Sequence, residues 1–245
     1  MENAQLINLS RQIALRRQMD VVANNMANIN TTGFKAEEIL FEEWVNPVAR
    51  DQDFIGSDQQ LSFTEDWATM TDMQPGAFAQ TGSPLDVALE GDGFFVVDTP
   101  AGERWTRSGA FQINADGMLV DLSGNPVQGE GGQITFDPSE TEITIAADGT
   151  VMTQAGSKGK LRIVEFDDPR VLAREGENLY SGGEPLANAE TRAVQGFIER
   201  SNVSGVTEMA EMIRVNRAYQ TLASIMQRQD DLRTSAIRRL GDLSA

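Results

Sequence analysis

Histidine and cysteine are both missing from this 245-residue chain, so its candidate chemical groups are carboxylates, hydroxyls, amides and 20 lysines and arginines. That removes imidazole and thiolate metal ligands, Ser-His-Asp relays, cysteine nucleophiles and disulfides together. Acid is abundant, with 37 Asp and Glu. Glu90 with Asp92, or Glu165 with Asp167, have the residue types of a glycosidase pair. Among so many acids such pairs arise by coincidence, and no aromatic-lined cleft is written around them to raise a carboxyl pKa. Asp92-Gly93, Asp116-Gly117 and Asp148-Gly149 raise the question of calcium, but the Asp-x-Asp-x-Asp-Gly loop with a closing glutamate is absent. Hairpin turns account for these dipeptides. Gly91-Asp92-Gly93 lacks the third glycine and the following helix of a dinucleotide fingerprint. The expectation is a protein that is not an enzyme and has no cofactor and no metal site.

Amides are the one polar group in an unusual place. Asn24, Asn25, Asn28 and Asn30 fall where an apolar seam demands a helix, although asparagine is a mediocre helix former. They read as a fraying, capped helix end or as amides that bond neighbouring helices and fix register, as buried asparagine does in coiled coils. The second reading is favoured. The seam itself is Leu15, Met19, Val22, Met26 and Ile29, stepping by four and three. Leu6, Leu9 and Ile13 form a second stripe shifted in phase, so the helix contacts more than one neighbour, or is kinked or loosely held near residues 13–15. Asn28 to Gly33 is rich in turn formers, and Gly33 can take the positive φ that ends a helix.

The other end of the chain repeats the pattern. Ser204 is a good N-cap, Glu208 sits in the first turn, and Met212, Val215, Tyr219, Leu222 and Met226 repeat the 3,4 spacing. Met209 and Ile213 lie beside that stripe, and Asn202-Val203 leads into it. No proline or glycine interrupts Val206 to Leu240, and at 1.5 Å per residue the helix reaches about 50 Å, more than such a domain needs for itself. A partner outside the chain is implied.

Between the ends the chain reads as β-structure. Residues 36–80 scatter Phe41, Trp44, Phe54, Phe63 and Trp67 among acids and read as extended connecting chain with a few strands, as do residues 181–200. From 81 to 180, Asp86 to Leu89, Gly93 to Asp98, Gly117 to Val120, Thr141 to Ala146 and Lys160 to Phe166 are short strands separated by turn dipeptides, predicting a compact antiparallel sandwich or barrel. The fold class is therefore α+β, with residues 1–35 and 201–245 as one helical module pairing as a coiled coil and 81–180 as the β domain.

Charge follows the same division. Residues 1–35 carry four basic against two acidic side chains and residues 201–245 six against five, so the stretch between carries −20 while the whole chain carries −17. Such a body is a poor partner for nucleic acid, which demands a basic face. Nearly neutral ends can pack against copies of themselves without strong repulsion. No run approaches the ~20 apolar residues of a membrane span, and Met1 to Asn30 shows no signal-peptide core, so neither membrane insertion nor a cleaved signal is expected.

Ala23-Asn24-Asn25-Met26-Ala27-Asn28-Ile29-Asn30-Thr31-Thr32-Gly33-Phe34-Lys35, together with Ser201 to Tyr219, resembles the flagellar rod and hook family of bacterial axial proteins. Ser83 to Phe95, Trp105-Thr106-Arg107-Ser108-Gly109-Ala110-Phe111, Asp116 to Val120 and Gly124-Asn125-Pro126-Val127 resemble that family's first β domain. The length resembles the rod proteins more than the hook protein, which carries a further outer β domain. The resemblance implies terminal helices pairing as an inner coiled coil with one β domain outside. It also implies export through the flagellar type III apparatus, then assembly with other rod proteins and neighbouring copies into the rod that crosses the periplasm and transmits torque. The residues expected at the assembly interface are Leu15, Met19, Val22, Asn24, Asn25, Met26, Asn28, Ile29, Asn202, Val203, Met209, Met212, Ile213, Val215, Tyr219, Leu222 and Met226.

Overall fold

The mixed polar and apolar positions at the start of the chain wind into one continuous helix, α1, Glu2–Ala27, in a computed structural model that describes residues 2–45, 62–140, 142–186 and 190–242. Beyond Ala27 the turn formers take over, with the Thr31 amide donating to the Asn28 carbonyl at 3.1 Å. At the other end α2, Gly205–Asp242, runs for 38 residues, and its first intrahelical bond is donated by the Glu208 amide to the Ser204 carbonyl at 2.9 Å. Among the described residues no helix is long and apolar enough to cross a membrane.

The chain divides into two compact units, one made of Met1–Ala27, Glu37–Met70 and Ser204–Ala245 and the other of Asn28–Ala36 and Thr71–Val203. In the first unit α1 lies against α2. The apolar residues buried there are Ala14, Val21 and Val22 on α1 and Val215 and Leu222 on α2. Gln18 Nε2 also donates to Glu211 Oε1 at 2.7 Å. On α2 the buried line falls on the 3,4 seam. On α1 Val22 lies on the apolar stripe while Ala14 and Val21 lie one position before it, and Leu15, Met19 and Met26 flank them half-buried. Strands β1, Glu37–Val45, and β2, Ser62–Thr71, pair into a two-stranded sheet. Phe54 lies outside the described residues.

The second unit is built from short strands. After β3 (Phe78–Gln80) and β4 (Val87–Glu90) come β5 (Phe94–Thr99) and β6 (Gly102–Thr106). The two-residue strands β7 (Gln112–Ile113), β8 (Leu119–Val120), β9 (Gln128–Gly129), β10 (Gly132–Gln133) and β11 (Thr144–Ile145) follow. Next are β12 (Thr150–Thr153), β13 (Gly156–Lys160), β14 (Ile163–Val164), β15 (Ala173–Glu175) and β16 (Leu179–Ser181). Last come β17 (Arg192–Gln195) and β18 (Phe197–Glu199). An antiparallel sheet in the order β14-β5-β6-β16-β15 is the largest assembly, and β4 and β3 pair with the late strands β17 and β18.

Strand β5 holds this body together because its four apolar residues are buried on both faces. Period-two alternation sends Phe95 and Val97 into one cluster with Leu89, Leu119, Val127 and Val151. Phe94 and Val96 go into a second cluster with Trp105, Phe166 and Tyr180. Edge-to-face contacts set the rings in both, Phe95 with Phe111 at 4.9 Å and Phe94 with Phe166 at 5.6 Å. Each such side chain contributes roughly 1.5–3 kcal/mol by leaving water.

Several expected strands are shorter than their sequence runs. Gly117 to Val120 keeps only β8, Thr141 to Ala146 keeps β11 with Thr141 outside the described residues, and Lys160 to Phe166 is divided between β13 and β14. The hairpin reading holds at Asp116-Gly117 and Asp148-Gly149, where glycines with φ of 80° and 86° join β7 to β8 and β11 to β12. It fails at Asp92-Gly93. There β4 and β5 belong to different sheets, and the positive φ of 129° is at Gly91. The segment is a corner between sheets, since β4 takes β17 as its neighbour while β5 takes β14 and β6.

Gly109 packs tightly against the start of β4, because a Cβ there would stand 1.7 Å from the Val87 carbonyl oxygen. Gly109→Ala is expected to cost about 3 kcal/mol, read from the urea midpoint. Gly131→Ala, whose Cβ would meet nothing within 4 Å, is expected to leave the midpoint unchanged.

Candidate assembly surface and a buried ionic hub

Helical spacing presents the expected interface residues in three states. Val22, Val215 and Leu222 are buried within the helical unit, and Met212, Tyr219 and Met226 are half-buried beside them. Met209 and Ile213 are 57% and 48% exposed, Val206 is 84% exposed, and Leu9 and Ile13 on α1 are 46% and 62% exposed. Leu9 and Ile13 of the shifted stripe on α1 and the N-terminal turns of α2 therefore present large apolar side chains left exposed among the described residues. Asn24 is exposed, Asn28 and Ile29 are half-buried in the β unit, and Val203 is buried there.

Buried Asn25 and half-buried Asn202 bond within the chain. Asn25, on the inner face of α1, donates from Nδ2 to the Glu37 carbonyl and accepts the Glu37 amide at Oδ1, both at 2.9 Å. Its amide thus pairs with β1 as a strand would. Beside it Glu208 also receives a hydrogen bond from Asn25. Burial raises the Glu208 carboxyl above the ordinary carboxylate range, Glu211 and Glu38 add like-charge repulsion, and the Asn25 bond opposes both. Asn202, in the β unit, accepts the Ala36 amide at 2.7 Å and donates to the Asp72 and Gln74 carbonyls at 2.9 and 3.2 Å.

Asn202 belongs to a cluster that joins the stretches by which the chain enters and leaves the β unit, residues 28–36, 71–76 and 199–203. At its centre Glu199 is 1% exposed, Lys35 1% and Arg107 2%. Lys35 Nζ donates to Glu199 Oε1 at 2.6 Å and to the Gln74 carbonyl at 2.8 Å, and the Gly76 amide donates to the same Oε1 at 2.8 Å. Arg107 Nε stands 3.5 Å from Glu199 Oε2, while its two terminal nitrogens donate to the Gly91 and Gly93 carbonyls. Burial pulls the pKa of both cations below their ordinary values, and Glu199 is the first influence opposing it in each case. One carboxylate is shared by two buried cations.

Main-chain bonds complete the hub. The Gly33 amide donates to the Glu199 carbonyl and the Asp72 amide to the Ala36 carbonyl, both at 2.8 Å. Gly33 has φ of 66°, and a Cβ there would lie 2.5 Å from the Arg107 carbonyl carbon, so only glycine fits. The neighbouring Phe34 is fully buried with the Arg174 guanidinium 3.9 Å over its ring. Asn178, held at φ of 62°, donates to the Thr32 carbonyl at 2.9 Å.

Sequence reasoning passes over the hub, because Lys35 and Arg107 stand in it only as letters of a resemblance and Glu199 not at all. A signal existed. In β18, Phe197 and Glu199 share a face under period-two alternation, and a carboxylate on an apolar face needs a buried cation. The carboxylates weighed as catalytic are occupied otherwise or apart. Glu165 Oε1 accepts the Thr191 amide and hydroxyl at 3.1 and 2.6 Å, and no group of acids able to hold a metal exists among the described residues.

Two outcomes follow for the helical unit. Asn25→Ala leaves both Glu37 backbone groups without their partner and is expected to cost about 1–3 kcal/mol, read by denaturation followed at the helical band. Because the folded pKa of Glu208 is raised, the folded state binds more protons than the unfolded state between the ordinary and the raised value. Stability therefore rises as pH falls through the raised value, and Glu208→Gln should flatten that rise in a pH series of melting curves.

Comparison with known proteins places these features in a family. Residues 6–35 match the family model described as flagella basal body rod protein. Residues 88–153 match the flagellar hook protein FlgE/F/G D1 domain, and residues 194–239 the flagellar basal body rod FlgEFG protein C-terminal. The chain is 38% identical to the flagellar basal-body rod protein FlgF of Caulobacter vibrioides, with 100% of both chains covered. It is 33% identical to the FlgF of Mesorhizobium japonicum, again over 100% of both. The flagellar basal-body rod protein FlgG of Bacillus subtilis is 32% identical over 88% of this chain and 90% of its own. With helices at both ends, a β body between them and relatives aligned from end to end, the chain belongs to the flagellar basal-body rod protein family.

Proposed function

We propose that this chain is a structural subunit of the flagellar rod in which α1 and α2 pair as a two-helix coiled coil and their remaining apolar positions bind neighbouring copies and other rod proteins. The observation that carries the assembly face is the exposure of Val206, Met209 and Ile213 on a helix whose other side is already covered through Val215 and Leu222. A single-chain protein gains nothing from large apolar side chains left in water on a second helix face. Head-to-tail contacts made by such a face on every copy extend into a helix of subunits. Leu15, Met19, Met26, Met212, Tyr219 and Met226 line the pairing seam, whereas Asn25, Asn202 and Val203 set where the helices begin and end.

Relatives named FlgF align over 98–100% of the chain at 31–38% identity, and relatives named FlgG at 29–32% over 87–93% of it. That difference favours an FlgF-like place over a distal-rod one. A hydrolytic or ligand-binding β domain is the weaker reading, since Lys35, Arg107 and Glu199 are engaged with one another and with backbone groups of the body. Export through the flagellar type III apparatus without signal cleavage, and a position in the part of the rod that crosses the periplasm, complete the reading. Near-neutral ends that stay extended during passage suit such a route.

Met209→Asp combined with Ile213→Asp tests the assembly face in cells. The variant is expected to keep wild-type melting behaviour as purified protein, to be missing from isolated basal bodies and to abolish swimming. Normal incorporation of the doubly charged variant would end this reading.

A further inference from the structure

The hub has an asymmetry that bears on how the β unit closes. Its cations come from positions 35 and 107, and the carboxylate that contacts both comes from position 199. Lys35 and Arg107, both buried against the Glu199 carboxylate, repel one another. Without Glu199 the Lys35 ammonium would keep one close partner, the Gln74 carbonyl. Asp72 and Asp92 add attraction, each to a single cation. Residues just before Glu199 are needed as well. The buried Val87, Ala88 and Leu89 of β4 pair along Gln195 to Ala193 of β17, and β3 pairs with β18.

We propose that residues 28–36 and 192–203 close onto the β body in one concerted step, with Lys35 and Arg107 acting as a charge interlock that keeps the N-terminal segment undocked until Glu199 arrives. Burial of Phe34 and the Asn178 bond to Thr32 attract the segment early. They do not offset the desolvation of an unpaired ammonium beside a guanidinium, which is the larger effect. Chains are delivered from the N-terminus. The unit therefore stays open until about four-fifths of the sequence is available, then closes with its two ends already beside one another at Glu199. This inference concerns folding and stands whether or not the assembly reading holds.

Native-state hydrogen exchange on the full-length protein tests it. The Gly33, Ala36, Ala88, Ala193 and Arg200 amides are expected to share one opening equilibrium, with a common response to urea. Glu199→Gln should lower protection at all five sites together by on the order of a hundredfold or more. Lys35→Met added to Glu199→Gln should recover at least about tenfold of that loss, because the unpaired buried charge is gone. Exchange of Gly33 and Ala36 independently of Ala193 in the wild-type protein would overturn the proposal even if Glu199→Gln failed to fold. So would a double variant no better protected than Glu199→Gln alone.

Discussion

Two cations and one carboxylate, each nearly removed from water, form the constraint on which the β unit depends. Lys35, Arg107 and Glu199 come from three distant parts of the sequence, and each would be costly to bury alone. Their mutual attraction in a medium of low polarity, with the Gln74, Gly91 and Gly93 carbonyls and the Gly76 amide, makes the arrangement tolerable. An apolar trio of the same volume would be no less stable on general grounds. The ionic version adds specificity of position: Lys35 reaches Glu199 only with Gly33 against the backbone of Arg107, and that requires the positive φ of Gly33.

From that constraint the rest of the unit can be ordered. Strand β5 supplies two hydrophobic clusters by alternation, and this is where the bulk of the stabilising area lies. The clusters are not specific about where the chain ends leave. That information comes from polar groups, Asn202 bridging Ala36 to Asp72 and Gln74, Asn178 holding Thr32, and the hub itself. In the helical unit Asn25 has the same role, since its side-chain amide fixes β1 at Glu37 as α1 finishes. Side-chain amides suit these positions because they donate and accept at once without adding charge to a chain already at −17.

Periodic features were legible in the sequence and point-like ones were not. The long C-terminal helix, its 3,4 seam and its start at Ser204 could be read because many residues repeat one instruction. Phe94 to Val97 was readable as a strand for the same reason, although its burial on two faces follows only from what packs around it. Asn25 drew notice by violating helix propensity, yet its partner, the backbone of Glu37, is a group every residue possesses and leaves no mark in a sequence. Glu199 was overlooked because a single carboxylate among 37 acids carries no periodic signal. Asp92-Gly93 misled because a turn dipeptide specifies local φ and ψ but not which strand the chain joins next.

The lengths of the two helices bear on what the chain does with its ends. Helix α1 has 26 residues and α2 has 38, so at 1.5 Å per residue α2 is longer by roughly 18 Å than the helix beside it. Past Gln229 every described α2 side chain is exposed, including Leu232 at 71% and Ile237 at 62%. An uncovered helical end of this length gains little from propensity alone, since helices in water are stabilised mainly by an apolar face that finds a partner. The last 45 residues also carry almost no net charge beside a strongly acidic remainder. Long-range repulsion between copies thus falls on the chain between the helices and hardly at all on the helices themselves, which biases encounters toward helix against helix. Apolar residues spaced for a helix partner, in the least charged part of the molecule and beyond the reach of α1, are what a subunit that completes its fold within a larger shaft requires.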